Sequence, residues 1–235
     1  MPEVKTVPPG TIESLQKYDT CTISNAIERF NVRLRNEGFM NNSVKCCFPQ
    51  FAPKAGYAVT GRIRSSSTPI SGRCYYEAMD WWHYLLTIPA PRFVVIEDAD
   101  HGPGIGAFIG EIHANIAVAM GCAAFVTNGS VRDIPAVEAS GLQVFAGSVS
   151  VSHAYAHVID FGEPIEVAGL RVKSGDLLQG DRHGVHLIPT SIAKDLARTA
   201  DELLREEKTL VDFCRSPEFS VEKLGAIIER KDRAC

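Results

Sequence analysis

The sequence lacks any run of about 18 consecutive apolar residues, the minimum for a helix that crosses a bilayer, so no membrane partner is expected. It has no block of Lys and Arg. Its formal net charge is −4 and its pI is near 6.0, which leaves no basic face of the kind nucleic-acid phosphates require. No pair of cysteines has the CxxC spacing. The seven cysteines, Cys21, Cys46, Cys47, Cys74, Cys122, Cys214 and Cys235, are an odd number without a framework. They exclude a disulfide scaffold or zinc knuckle and are expected as buried free thiols. The start, MPEVKTVPPG, has no apolar signal core, which points to a cytoplasmic protein. There is no internal repeat and no low-complexity linker. Gly104, Gly106 and Gly110 match neither a Walker loop nor a dinucleotide fingerprint.

What is present is enough apolar sequence for a sizeable core: 45% of 235 residues are hydrophobic and 22% charged. One domain over residues 1–235 is expected, with an N-terminal arm at 1–10 and a helical extension at 190–235. Helical spacing marks 12–18 and 23–30, the second capped by Thr22. Residues 40–56 look like a loop, 57–63 a strand and 75–86 a helix carrying Trp81 and Trp82. The middle of the chain alternates strand and helix. It runs from a strand at 93–96 to a helix at 111–120 closed by Gly121, then a strand at 123–127 and a turn at Asn128-Gly129. A helix opening near Pro135 and closed by Gly141 follows, then a strand at 143–146. Beyond 160 the pattern changes to hairpins, 165–167 with 170–172 around Ala168-Gly169, and 177–179 with 185–188 around Gly184. A long amphipathic helix covers 192–214. The fold class expected is α/β, a layered β/β/α swivelling-type domain of mixed sheets with outer helices.

Gly110-Glu111-Ile112-His113 opens a helix whose first N–H groups have no intrahelical acceptor, a ready anion site. About twenty residues on, a strand leads into Asn128-Gly129-Ser130-Val131-Arg132-Asp133. Ligands of open α/β sheets sit beyond the carboxyl ends of strands, so both segments can face one crevice. The carboxylate of a 2-oxo acid would take the N–H groups and Arg132. A hard cation held by Asp133 would chelate its oxygens and, with Arg132, stabilise an enolate. Spacing alone equally allows Asp133 to be a helix cap and Arg132 its surface partner.

The run GEIHANIAVAMGCAAFVTNGSVRDIPAVEASGLQVFA resembles the RraA-like family. YDTCTISNAIERF, GYAVTGRIR and SGDLLQGDRHGVHLIP resemble its early helix, first strand and Gly-Asp hairpin. The family includes class II 4-hydroxy-4-methyl-2-oxoglutarate aldolases that also decarboxylate oxaloacetate, and regulators of ribonuclease activity. The resemblance implies that Asp133 holds Mg²⁺ or Mn²⁺, that Arg132 binds the keto or enolate oxygen, and that the N–H groups of Ile112 and His113 bind the carboxylate. It further implies that Glu111 orders water at the metal. Trimers, often stacked into hexamers, are implied, with a Glu from a neighbouring C-terminal helix completing the metal shell. Glu207 is the candidate, with Glu206 beside it. The chain departs from the family pattern at Ala136 and Asn25, where acids are usual, at Arg182 and His183 in the hairpin, and at His113. Related enolate chemistry (hydration, dehydration or isomerisation) and a non-catalytic ribonuclease-regulating role are the alternatives.

Other residues carry weaker signals. His153 and His157, four apart, could share a helix face as metal ligands or be surface or interface histidines. His183 and His186 flank a turn and are candidate substrate contacts. His113, at the anion site, is a candidate for contact with substrate or a catalytic water. Asp98 and Asp100 end a strand and could border the crevice or serve a turn.

Overall fold

The computed structural model describes residues 4–69 and 78–232. In chain order the elements are α1 (Thr11–Leu15), α2 (Thr20–Glu28), β1 (Lys45–Cys46), β2 (Lys54–Arg64), α3 (Ala78–Leu86), β3 (Arg92–Asp98), β4 (Ala107–Ile109), α4 (Glu111–Ala119) and β5 (Cys122–Val131). Then come α5 (Ile134–Ala139), β6 (Gln143–Val149), β7 (His157–Phe161), β8 (Ile165–Val167), β9 (Leu170–Val172), β10 (Leu177–Asp181), β11 (Gly184–Ile188), α6 (Ala193–Cys214) and α7 (Val221–Asp232).

Nine strands form one mixed sheet in the order β1-β6-β5-β3-β2-β10-β11, with β4 added on β5 and β7 on β2. The centre, β2, β3, β5 and β6, is parallel. Its flanks, β1, β7 and the β10–β11 hairpin, are antiparallel. Side chains alternate across a strand with period two, and here both faces are buried. Ala58, Phe93, Val95, Ala124, Val126 and Phe145 join Leu178 and Val185 in one cluster. Their neighbours Val59, Val94, Ile96, Phe125 and Val144 join a second cluster beneath Ile23, Leu85, Ala117, Val137 and Leu196 of the helices. Two-sided burial explains why these strands read as continuous apolar runs.

The sheet curls almost into a barrel. Phe145 of β6 and Gly180 of β10 lie far apart in strand order, yet a Cβ on Gly180 would stand 2.7 Å from the Phe145 ring. Contact across the concave face requires that curvature, and glycine at 180 makes room for the ring. The α/β architecture of mixed sheet and outer helices is as the patterning predicts.

Several local expectations are corrected. Asn128-Gly129 is no turn, because β5 continues through it to Val131 and the register with β6 shifts between Thr127 and Ser130. The Asn128 side chain pairs with the backbone of Asp98 instead, at 2.7 and 3.1 Å. Asp19, not Thr22, caps α2: its Oδ1 accepts the Thr22 N–H at 2.7 Å. Part of the 40–56 loop is strand, as β1 and the start of β2. His157 lies in β7, so it shares no helix with His153. The cysteines are less buried than expected: of the described ones only Cys122 is buried, while Cys21 and Cys214 are exposed. Tyr75 to Glu77, the start of the expected third helix, and Cys74 and Cys235 lie outside the described residues. No helix among the described residues is long and apolar enough to cross a membrane.

Candidate functional site

β4 and β5 run parallel, pairing Ala107 with Ser130 and Ile109 with Val131. The Arg132 N–H then donates to the Ile109 carbonyl at 3.1 Å. Each strand feeds a helix at once, β4 through Gly110 into α4 and β5 through Asp133 into α5. Two helix starts are thereby brought side by side. Gly110 is extended (φ −146°), so its role is space rather than backbone freedom. A Cβ there would lie 2.5 Å from Asp133 Oδ2 and 3.1 Å from Arg132 Cγ.

Asp133 occupies the N-cap position of α5 in the left-handed conformation (φ 54°, ψ 40°), but its side chain makes no capping bond to that helix. Its Oδ2 instead accepts the Glu111 N–H at 3.2 Å and lies 3.3 Å from Arg132 Nε. The carboxylate thus faces the positive end of α4. The simple cap role that spacing allowed is not what the residue does. With the Glu111 N–H engaged, the first-turn donors left for a ligand are those of Ile112 and His113.

These residues line a cleft of about 580 Å³, with Gly110 to His113 on one side and Arg132 and Asp133 on the other. That volume suits a small metabolite. His113 forms a wall: its ring lies 5.4 Å from that of Phe108 and 6.0 Å from that of Trp82. Burial against these rings lowers its pKa, so at neutral pH it is an uncharged imidazole that both donates and accepts. Arg132 and Asp133 are each a little over one third exposed, open to the cleft yet fixed by their backbone.

His153, read from sequence as half of a helical pair, lines the same cleft. Its loop folds over β4, with the Ala107 N–H donating to the Ser152 carbonyl at 2.9 Å. A Cβ on Gly106 would meet the His153 carbonyl at 2.5 Å. That glycine was the one sequence sign of a close approach.

Other candidates lie elsewhere. Asp98 is buried, its pKa raised by desolvation, and its carboxylate holds the 98–104 loop through the N–H groups of Asp100 and Gly104. Asp100 takes Ser65 and Ser66. Both are turn residues, not cleft residues. His157 is buried, with Nδ1 2.6 Å from the Tyr155 carbonyl. His186 is buried, bonded to Gln179 Oε1 at 2.9 Å, and burial pushes its pKa down to about 3. His183 borders a different cavity. Glu207 is exposed on α6 and does not line the cleft of its own chain. Glu206 pairs with Arg29 at 2.9 Å. Among the described residues no three His, Cys, Asp or Glu side chains converge as a metal site.

Comparison with known proteins agrees with this architecture. The RraA-like family model, described as Aldolase/RraA, matches residues 20–187, and the chain belongs to the RraA-like family. A curated relative from Halalkalibacterium halodurans, named "Putative 4-hydroxy-4-methyl-2-oxoglutarate aldolase", is 30% identical over 123 residues, 50% of this chain and 58% of that one. The chain therefore spans under two thirds of that relative's length. An uncharacterised protein from Pseudomonas syringae pv. tomato superposes with a TM-score of 0.73 at 18% identity, covering 96% of this chain and 97% of the other. RraAS2 of Streptomyces coelicolor, described as an unusual member of the RNase ES inhibitor RraA protein family, gives 0.67 at 18%, covering 87% and 97%. At such identities the likeness is one of fold, and function must be argued from the site.

Proposed function

We propose that this protein is a divalent-metal-dependent lyase that cleaves a carbon–carbon bond of a small 2-oxo acid, by aldol cleavage or by decarboxylation of oxaloacetate. The observation that carries this reading is Asp133. It is held left-handed at a helix start, yet turned away from its own helix toward Arg132 and the first turn of α4. The printed name of the Halalkalibacterium halodurans relative supports the reaction class.

The donor set fits a mostly hydrated cation. Asp133 Oδ2 is engaged and Oδ1 remains for a hard ion such as Mg²⁺ or Mn²⁺, which accepts one or two carboxylates and keeps several waters. Bound there, the ion would supply Lewis acidity toward the substrate's oxygens. The Ile112 and His113 N–H groups bind the substrate carboxylate. The Arg132 guanidinium donates to the keto oxygen. As the bond to C3 breaks, its electron pair moves toward that oxygen, and Arg132 stabilises the negative charge of the pyruvate enolate. The uncharged His113 ring lines the cleft; in aldol cleavage it would take the 4-hydroxyl proton and return it to C3 of the enolate, and in decarboxylation it would relay that proton from water, accepting on one nitrogen and giving from the other. Exposed Glu111 orders water at the mouth. Glu207 serves the cleft of a neighbouring copy in a trimer or a hexamer, since it does not reach its own.

The test is pyruvate release from oxaloacetate and from 4-hydroxy-4-methyl-2-oxoglutarate with Mg²⁺ or Mn²⁺. Turnover should stop with EDTA and fall about 10²- to 10³-fold in Asp133→Ala. An unchanged rate in that variant would remove Asp133 from the site. His113 on the wall, with Ala136 where aldolases of the family carry an acid, favours related enolate chemistry on another acid as the second reading. Turnover of a 2-hydroxy acid without bond cleavage would select it. A stable ribonuclease complex with no turnover of any oxo acid would select the regulatory role instead.

A further inference from the structure

A second cavity, of about 410 Å³, opens between residues 39–46 and the β10–β11 turn. It shares no lining residue with the Arg132–Asp133 cleft. Its floor is apolar: Phe145 is fully buried, and Met40, Val44 and Val185 nearly so. All four belong to the cluster inside the curled sheet. Its rim carries Lys45, Arg182 and His183, and no acidic residue lines it. Neither Lys45 nor Arg182 has a carboxylate within 4 Å among the described residues.

Two acids lie behind the rim, and both are engaged by the fold. Asp181 is buried; its Oδ2 accepts the Thr20 N–H, and its Oδ1 accepts the Thr20 hydroxyl and the His183 N–H, at 2.7 to 2.8 Å. Its Oδ1 also lies 3.2 Å from His183 Nδ1. Asp19 caps α2 through Thr22. Lys45 and Arg182 therefore keep donors for a ligand.

A cationic rim above an apolar floor selects a ligand with a negative head and a hydrocarbon body. Charge-assisted hydrogen bonds from Lys and Arg orient the head, and removal of apolar surface from water holds the body. We propose that this cavity is a second ligand site, one that binds a small organic carboxylate carrying a short apolar chain. Inorganic phosphate shares the head-group charge but has no hydrocarbon body to withdraw from water against that floor.

The experiment is calorimetric titration of the full chain in the Arg132→Ala, Asp133→Ala background, which silences the first cleft. Hexanoate is the probe, with inorganic phosphate and hexan-1-ol as comparators. Saturable hexanoate binding is expected, at least tenfold tighter than either comparator. Adding Lys45→Gln and Arg182→Gln should weaken it at least tenfold with the thermal midpoint unchanged, since both side chains are exposed. In an otherwise native chain those two substitutions should leave oxaloacetate turnover intact, which separates this site from the first. Absent hexanoate binding, or binding indifferent to Lys45 and Arg182, overturns the proposal. So does phosphate binding as tightly as hexanoate, which would make the site one for free phosphate.

Discussion

Asp133 combines a backbone cost with little return in stability. A non-glycine residue in the left-handed region costs roughly 1–2 kcal/mol, less for Asp than for most. Its ion pair with Arg132, with both side chains over one third exposed, returns at most about 1 kcal/mol, and its exposed bond to the Glu111 N–H at the start of α4 at most about 1 kcal/mol more. Strain that the fold does not need is a pointer to function. Cost and return nearly cancel, so Asp133→Gly should leave the thermal midpoint close to wild type while removing turnover. A variant that loses several degrees would show Asp133 to be structural. Gly110→Ala makes the complementary test, because its methyl group would meet Asp133 Oδ2 and Arg132 Cγ. Native circular dichroism with a turnover loss of about tenfold or more is expected, since a displacement near 1 Å is enough to disturb such a site. Wild-type turnover in Gly110→Ala would mean that the observed seating of Asp133 is not the working one. At this scale the sequence was informative in part. Arg132, Asp133 and the α4 start could be picked out as types and by resemblance. The left-handed backbone that turns Asp133 from a cap toward α4 has no sequence signature, because Asp is favoured both at caps and in that region.

Elements were readable where one residue type has one mechanism. Gly121 and Gly141 end helices at φ 74° and 79°, and Pro135 sits in the first turn of α5. Asn128-Gly129 failed because the same dipeptide serves a hairpin turn and a strand irregularity, and only the pairing of Ser130 and Val131 with β6 decides between them. The helix-face option for His153 and His157 falls because four-residue spacing fits a helix and a loop running into a strand equally well. The β10–β11 hairpin carries a prediction of its own. His186, on β11 and bonded across to Gln179 of β10, has its pKa pushed down to about 3 by burial, with Arg33 lowering it further and Asp181 opposing. A depressed folded-state value means that the unfolded chain takes up the proton first as pH falls below about 6.5. Stability is thus complete above that value and declines between 6.5 and about 3, by up to about 1.4 kcal/mol per pH unit. Urea unfolding at pH 7 and pH 5 should show a smaller decline for His186→Asn than for wild type. Equal declines would mean that His186 titrates normally, through opening of the hairpin.

For the whole molecule, the cleft stands beside apolar surface that the single chain leaves in water. Ile112 is 73% exposed, Val149 64% and Val151 97%, all on segments adjoining the site. Apolar side chains so exposed are what a partner surface would cover, and the proposed role of Glu207, exposed and outside its own cleft, requires a second copy. If each site takes Asp133 from one subunit and Glu207 from the next, both Asp133→Ala and Glu207→Ala homo-oligomers are inactive for different reasons. Random mixing in a closed ring then rebuilds the pair wherever a Glu207→Ala subunit presents Asp133 to an Asp133→Ala subunit that presents Glu207. At equal proportions this occurs at about one half times one half, or about a quarter, of all sites in a ring of heterologous contacts. Subunits unfolded and refolded together should recover about a quarter of wild-type turnover, while the two variants mixed after separate refolding should recover far less. If co-refolding restores nothing beyond the separate variants, the metal shell is closed within one chain and Glu207 has no part in it. The same measurement discriminates Glu206, whose pairing with Arg29 on α2 ties it to its own subunit. Glu206→Ala should remain active alone and gain nothing from a partner.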